Sequence, residues 1–286
     1  MNALQQYIEL YNEYCSTVNA HSLAELNALR PAALDVLQHA QLPRKGSEDY
    51  EATDMESLFA PDYGLNITRL NYDIDPIESF RCDVPNLSTC LFHTYNDVPH
   101  ISPISRRNLD GAIVETLAEA AVNHPDIVAK HLGHVADLND ATIALNTLLA
   151  QDGLLIYVPK GVVTAKPIQL LNILSAAHPT MVVRRLLIVA DDDSSVRVLA
   201  CDHTQGAETQ VMNLQVVEIV AGRNAIIDYY DLEEASSMTT RVSNIYVEQH
   251  EGSSVLIDGI TLMNGVTRNN YHVNVVGEHA STQLLG

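Results

Sequence analysis

The sequence predicts a mainly β protein with an α-helical N-terminal region, its second half forming a β-helix (solenoid) of about 30-residue rungs. Three observations lead there. Four segments align without gaps: LIVADDDSSVRV from Leu187, VEIVAGRNAIID from Val217, YVEQHEGSSVLI from Tyr246 and VNVVGEHASTQL from Val273, with starts 30, 29 and 27 residues apart. Each runs as an alternating, β-branched apolar strand into a polar corner and out into a second strand. Before residue 150 the rhythm is different, and apolar residues recur at helical spacing. At about 3.3 Å per residue, one repeat supplies two strands and two corners, a single rung whose inward side chains stack on those of the next. A β-sandwich of hairpins is the rival, since its turns recur at a similar interval.

The elements follow in order. Leu4, Ile8 and Tyr11 fall at i, i+4 and i+7, and Leu23, Leu26, Leu29 and Leu34 continue an apolar helical face. Ser22 and Glu25 have capping-box spacing ahead of that second run. Leu42 to Tyr63 is polar and rich in breakers, a loop. Leu65–Leu70 and Thr89–Tyr95 are strand-like. Helices are expected over Ile113–Val122, Pro125–Leu132 and Asn139–Ala150, with proline in the first turn of the second and Gly133 as its C-terminal cap. The organisation is a mostly helical region over 1–150 and a β-helix core over 151–286.

Residues 152–174, DGLLIYVPKGVVTAKPIQLLNIL, join the two. Pro159-Lys160-Gly161 and Lys166-Pro167 break the apolar run into pieces too short to span a membrane. The order Lys160-Gly161 is wrong for a phosphate-binding loop, and no G-x-x-x-x-G-K-[ST] occurs elsewhere. The copy LIYVPKGVVTAK from Leu155 starts 32 residues before Leu187 and places Gly161 where Gly252 sits in its own repeat. Pro159-Lys160-Gly161 therefore reads as the first corner and Val162 to Thr164 as its return strand, both prolines lying on the exposed edge of a first rung.

Composition narrows the function. At 47% hydrophobic and 18% charged, the chain is globular rather than disordered, and with no Trp and three Phe its core is aliphatic. A net charge of −20 opposes nucleic-acid phosphates and anionic membranes. Cys15, Cys82, Cys90 and Cys201 form no C-x-x-C pair, and the N-terminus has no signal-peptide pattern, so a reducing cytoplasm with free thiols is expected. His124, His131 and His134 make one helical stripe, read as a solvated face, while His250, His272 and His279 fall at or near corners and are read as exposed. Cys201 and His203 point to the same side of a strand, which makes them the candidate metal ligands, with further ligands unidentified. Asp191-Asp192-Asp193 fits a solvated corner. No catalytic triad or nucleotide motif stands out.

The run Asp152 to Val162 continuing through Lys166-Pro167-Ile168 resembles the signature of the SufB/SufD family, the β-helical subunits of the SUF iron–sulfur cluster assembly complex. ALNTLLAQDG from Ala144, HPDIVAKHLG from His124 and RNNYHVNVVGEHASTQLLG from Arg268 resemble the same family. Leu42-Pro43-Arg44-Lys45, Glu48-Asp49-Tyr50 and Thr53 resemble the N-terminal pattern of the SufD branch, with Tyr50 where Trp is common. The resemblance implies a non-catalytic scaffold that pairs with SufB through the β-helix and helps recruit the ATPase SufC, with the iron–sulfur cluster handled by the whole complex and no cofactor on this chain alone. The family pattern continues well past Gly286, so a truncated chain is expected, one whose open last rung invites pairing with another chain, a second copy included. Two other functions stay open: a carbohydrate-active β-helix enzyme using the Asp191–Asp193 cluster, and a metal-binding chaperone using Cys201 and His203.

Overall fold

A computed structural model describes residues 2–48, 50–70, 88–206 and 209–286; Cys82 lies outside them. Helix α1 (Ala3–Ala20) starts where the Asn2 side chain accepts from the Leu4 N–H, and α2 (Ala24–His39) folds back beside it. The capping box expected at Ser22 does not form: Leu23 is the N-cap, without a side-chain bond. Ser22 Oγ instead accepts from Arg30 Nη2 at 3.1 Å. Arg30 is buried on α2 and also donates from Nε to the Leu148 carbonyl at 3.1 Å and from Nη2 to the Ala150 carbonyl. A buried guanidinium needs every acceptor within reach, and that need outweighs a partly exposed cap.

The expected loop between residues 42 and 63 contains one short helix, α3 (Met55–Phe59), capped by Asp54 accepting from the Ser57 N–H. Leu65–Leu70 is not a strand. Asn66 Oδ1 accepts from the Leu70 N–H at 2.9 Å, the Asn66 carbonyl accepts from the Arg69 N–H at 3.1 Å, and Arg69 has φ 51°. An asparagine-led turn has taken the backbone donors that a strand would have used. The other strand forms as β1 (Cys90–Tyr95), followed by β2 (Val98–His100).

Ile113–Val122 divides in two. Its β-branched start forms strand β3 (Ile113–Thr116), and Thr116 then caps helix α4 (Leu117–Asn123) through a capping box with Glu119. Helices α5 (Pro125–His131) and α6 (Ala141–Leu149) follow as expected, with Gly133 at φ 76° after α5. Asp140 caps α6, accepting from the Thr142 N–H at 2.7 Å. Every residue of α6 from Thr142 to Leu149 is buried, because the helix packs on α2 on one side and on the solenoid on the other.

The solenoid has two facing parallel sheets. One carries β4 (Leu154–Val158), β6 (Thr180–Ala190), β8 (Val211–Ala221), β10 (Thr239–Gln249) and β12 (Val266–Val275) in that spatial order, with β3 antiparallel on the β4 edge. The other carries β5 (Ile168–Leu174), β7 (Ser195–Thr204), β9 (Ile226–Glu234), β11 (Ser254–Met263) and β13 (Ser281–Leu285), with β1 parallel on the β5 edge and β2 antiparallel beyond it. The mainly β solenoid and its helical N-terminal region stand as the sequence predicts.

Register corrects two details. Leu155 faces Leu187, as the 32-residue step requires, but Val217 faces Leu186, Ile245 and, one rung on, Tyr271. The segment from Val217 is therefore displaced by one residue against both of its neighbours, with Glu218 rather than Val217 facing Leu187 and Tyr246. Only this register keeps Leu186, Val217 and Ile245 inside while Leu187 and Glu218 face the helices. The return strand expected over Val162 to Thr164 is a single bridge, Val163 to Ser195; β5 starts after Pro167. The prolines do not sit on an exposed edge either, since β3 covers β4 and β1 covers β5. They are tolerated because each lies one residue outside a strand.

The corner itself repeats closely. Gly161, Asp193, Asn224, Gly252 and His279 all have φ between 56° and 74°. The first four N–H groups donate to the carbonyls of Asp192, Arg223, Glu251 and Glu278 at 2.8–3.0 Å, a ladder of left-handed residues running down the stack. Gly, Asn and Asp take this conformation most readily, which explains most of the corner composition.

Candidate functional site

Strand alternation divides the solenoid interior into two regions. Near the corner ladder it is aliphatic, with Ile156, Ile188, Val198, Ile219 and Ile227 stacked and buried. Each such side chain contributes about 1.5–3 kcal/mol through burial. Away from the corners the inward positions turn polar. Asn172, Asp202 and Glu233 share one register column, and Asn213 and Arg241 share another on the opposite sheet.

These side chains form a buried ion ladder. Asp202 accepts from Arg184 Nη1 at 2.6 Å, from Asn172 Nδ2 at 2.8 Å and from Asn213 Nδ2 at 2.8 Å. Arg241 donates from Nη2 to Asp231 at 2.6 Å and lies 3.5 Å from Asp202 and 3.7 Å from Glu233. Burial pushes the Asp202 carboxyl up, but Arg184, Arg241 and Asn172 together hold it below the ordinary range. For Asp231 and Glu233 burial prevails over Arg241, and both are raised. Glu233 also accepts from Thr261 and Thr267 at 3.2 and 2.8 Å, fixing the turn between β11 and β12.

A second buried pair fastens the helical arm to the outside of the solenoid. Glu218 accepts from the N–H groups of Gly133, Val135 and Ala136 at 3.0–3.1 Å, and from Arg185 Nη2 at 2.8 Å. Arg185 Nη1 reaches Thr147 Oγ1 at 3.1 Å and Asn146 Oδ1 at 3.3 Å on α6. Asn146 donates onward to the Arg184 and Leu214 carbonyls at 2.9 and 3.2 Å. The open chain end after α5 is thus closed by a carboxylate from the sheet. Farther along, the Arg268 guanidinium sits 4.4 Å from the centre of the Tyr50 ring, so the aromatic position of the N-terminal segment holds a cation on β12.

Cys201 and His203 do share the outward side of β7, and Asp202 between them points inward. Cys201 is buried with Tyr95, Leu171 and Ile173, its Sγ 3.8 Å from Gln169 Nε2. His203 Nδ1 lies 3.4 Å from Glu234 Oε2. Among the described residues no three His, Cys, Asp or Glu side chains are grouped so as to hold a metal ion. The histidine stripe is not a solvated face: His131 is buried and its pKa is lowered, chiefly by desolvation, while His134 is exposed beyond the helix end. His272 lies within β12 rather than at a corner, its ring stacked on Tyr246 at 4.4 Å. Asp191 accepts from the Tyr157 hydroxyl at 2.6 Å, and Asp192 is held by Arg223 at 2.8 Å with Lys160 at 3.7 Å.

The ion ladder and the Glu218 clamp escaped sequence reasoning. Their signal was present as charges inside apolar strands, Arg184-Arg185 within TMVVRRLLIVA and Glu218 within QVVEIVA. Such charges are rarely buried unless paired.

Comparison with known proteins agrees with this architecture. The SufBD protein N-terminal region model matches residues 1–170, and the SUF system FeS cluster assembly, SufBD core domain model matches residues 172–286. The iron–sulfur cluster assembly SufBD family protein slr0076 of Synechocystis is 25% identical over 90% of this chain and 58% of its own length. Iron–sulfur cluster assembly protein SufD of Bacillus subtilis is 28% identical over 63% of this chain and 44% of its own. The chloroplastic SufBD family protein ABCI8 of Arabidopsis thaliana is 29% identical over 58% of this chain and 28% of its own. The chain thus spans less than three fifths of the length of each of these relatives. With both models matching, and the core model falling on the stacked rungs, the chain belongs to the SufBD family of the SUF iron–sulfur cluster assembly system.

Proposed function

We propose that this chain is a non-catalytic scaffold subunit of SUF iron–sulfur cluster assembly, acting in the cytoplasm. In this role it pairs with a SufB-type partner along the β-solenoid and helps recruit the SufC ATPase. The observation that carries the proposal is the coincidence of the SufBD core model with a solenoid whose interior is filled by stacked aliphatic side chains and internally paired charges. Such an interior gives a stiff rod with outward faces for partners. The relative named SufD in Bacillus subtilis supports the assignment to the SufD branch.

Neither alternative gains a specific observation. The aspartate cluster is engaged at a corner by Tyr157, Arg223 and Lys160, and Cys201 packs among apolar side chains. The test is co-purification of the protein with tagged SufB- and SufC-type partners. The expected result is a stable complex that survives gel filtration. Failure to retain either partner would refute the proposal.

A further inference from the structure

Between the two sheets, at the boundary of the aliphatic and polar halves of the interior, lies a cavity of about 30 Å³. Its walls include Thr94, Asn172, Arg184, Gln215 and Tyr229. Two of these present buried polar atoms with no hydrogen-bond partner, the Tyr229 hydroxyl and Arg184 Nη2. Tyr229 is fully buried, and Arg184 is 7% exposed. Arg184 spends its other donors on Asp202, through Nη1 at 2.6 Å, and on the Asn96 carbonyl, through Nε at 3.0 Å. Asn172 and Gln215 give amide protons to Asp202 and Ser243.

We infer that this cavity is a binding site for ordered water, with one molecule accepting from Arg184 Nη2 and hydrogen-bonded to the Tyr229 hydroxyl. The volume suits it, since a cavity holds water once it offers about 10–15 Å³ and two to four polar partners, so one or two molecules fit. The chemistry suits it as well. An unpaired guanidinium N–H and an unpaired phenol in a low-dielectric interior are each costly, and a single water relieves both. Arg184 sits on β6 and Tyr229 on β9, so the water ties the two sheets together at the head of the ion ladder.

The test is a crystal structure of the full chain at a resolution that shows interior water, for the native protein and for Tyr229→Phe. The expected result is a peak within hydrogen-bond distance of both Tyr229 Oη and Arg184 Nη2 in the native protein, displaced or lost in the variant. Native density without that peak overturns the inference, as does a peak unchanged by Tyr229→Phe. Denaturant unfolding gives an independent readout. A hydrated hydroxyl predicts an unfolding constant raised about three- to tenfold in Tyr229→Phe. A dry one predicts the constant lowered, because the variant then removes an unsatisfied buried group, and that outcome also counts against the inference.

Discussion

Glu218 shows how one side chain can decide where a whole arm sits. Its carboxylate answers three backbone N–H groups and Arg185 at once, with both ionic side chains inaccessible to solvent. Glu218→Gln leaves the Arg185 charge buried without its counter-ion, so a loss of about 3–5 kcal/mol in unfolding free energy is expected, measured by urea titration. A change below about 1 kcal/mol would contradict the role assigned to the clamp. Asp192 is the opposite case, a half-buried carboxylate at a corner. The Arg223 side chain and backbone hydrogen bonds push its pKa down to about 2. A depressed carboxylate pKa means that the contribution of the pair is present above the ordinary aspartate value and fades as pH falls toward about 2. A carbon-detected NMR titration should therefore place Asp192 near that value, and in Arg223→Gln the midpoint should rise toward the ordinary range.

At the scale of elements, the corners make a graded prediction about glycine. A methyl group at Gly161 would meet nothing within 4 Å, so Gly161→Ala is opposed only by φ 74° and should destabilise by about 1–2 kcal/mol. A methyl group at Gly222 would lie 2.8 Å from the Asp191 carbonyl carbon and the Asp192 nitrogen, backbone atoms of the neighbouring rung that cannot step aside. Gly222→Ala should cost more, about 2–3 kcal/mol, and thermal unfolding should rank the two in that order. The rungs were legible because alternation and left-handed corners are local patterns that recur down the stack. Gly161 and Gly252 match by sequence alone, and they do occupy equivalent places. What misled were short runs whose fate is set elsewhere. Ile113 and Val114 became a strand because Tyr157 and Ile156 offered an edge, and Leu65–Leu70 turned because Asn66 took the donors. The ion ladder was hidden for a similar reason. Asp202 and Arg241 are far apart in sequence, and only the register of β7 and β10 brings them to 3.5 Å.

The whole molecule is a stack in which each rung leans on two neighbours. Strands β6, β8 and β10 are each paired on both sides, whereas among the described residues β12 and β13 pair on one side only. Amide hydrogen exchange should therefore be slowest in β8 and its neighbours and fastest in β13, in a smooth gradient, as expected of a quasi-one-dimensional fold. Uniform protection along the stack would contradict that picture. The helical arm should exchange as a unit with the rungs it covers, because Glu218, Arg185 and Asn146 join it to β6 and β8. The proposed role of such a rod is to hold partner subunits together. The most direct test is native mass spectrometry of the protein co-expressed with SufB- and SufC-type partners. A scaffold predicts a complex containing this subunit together with both partners, and recovery of the subunit alone beside a separate SufB–SufC complex would contradict it.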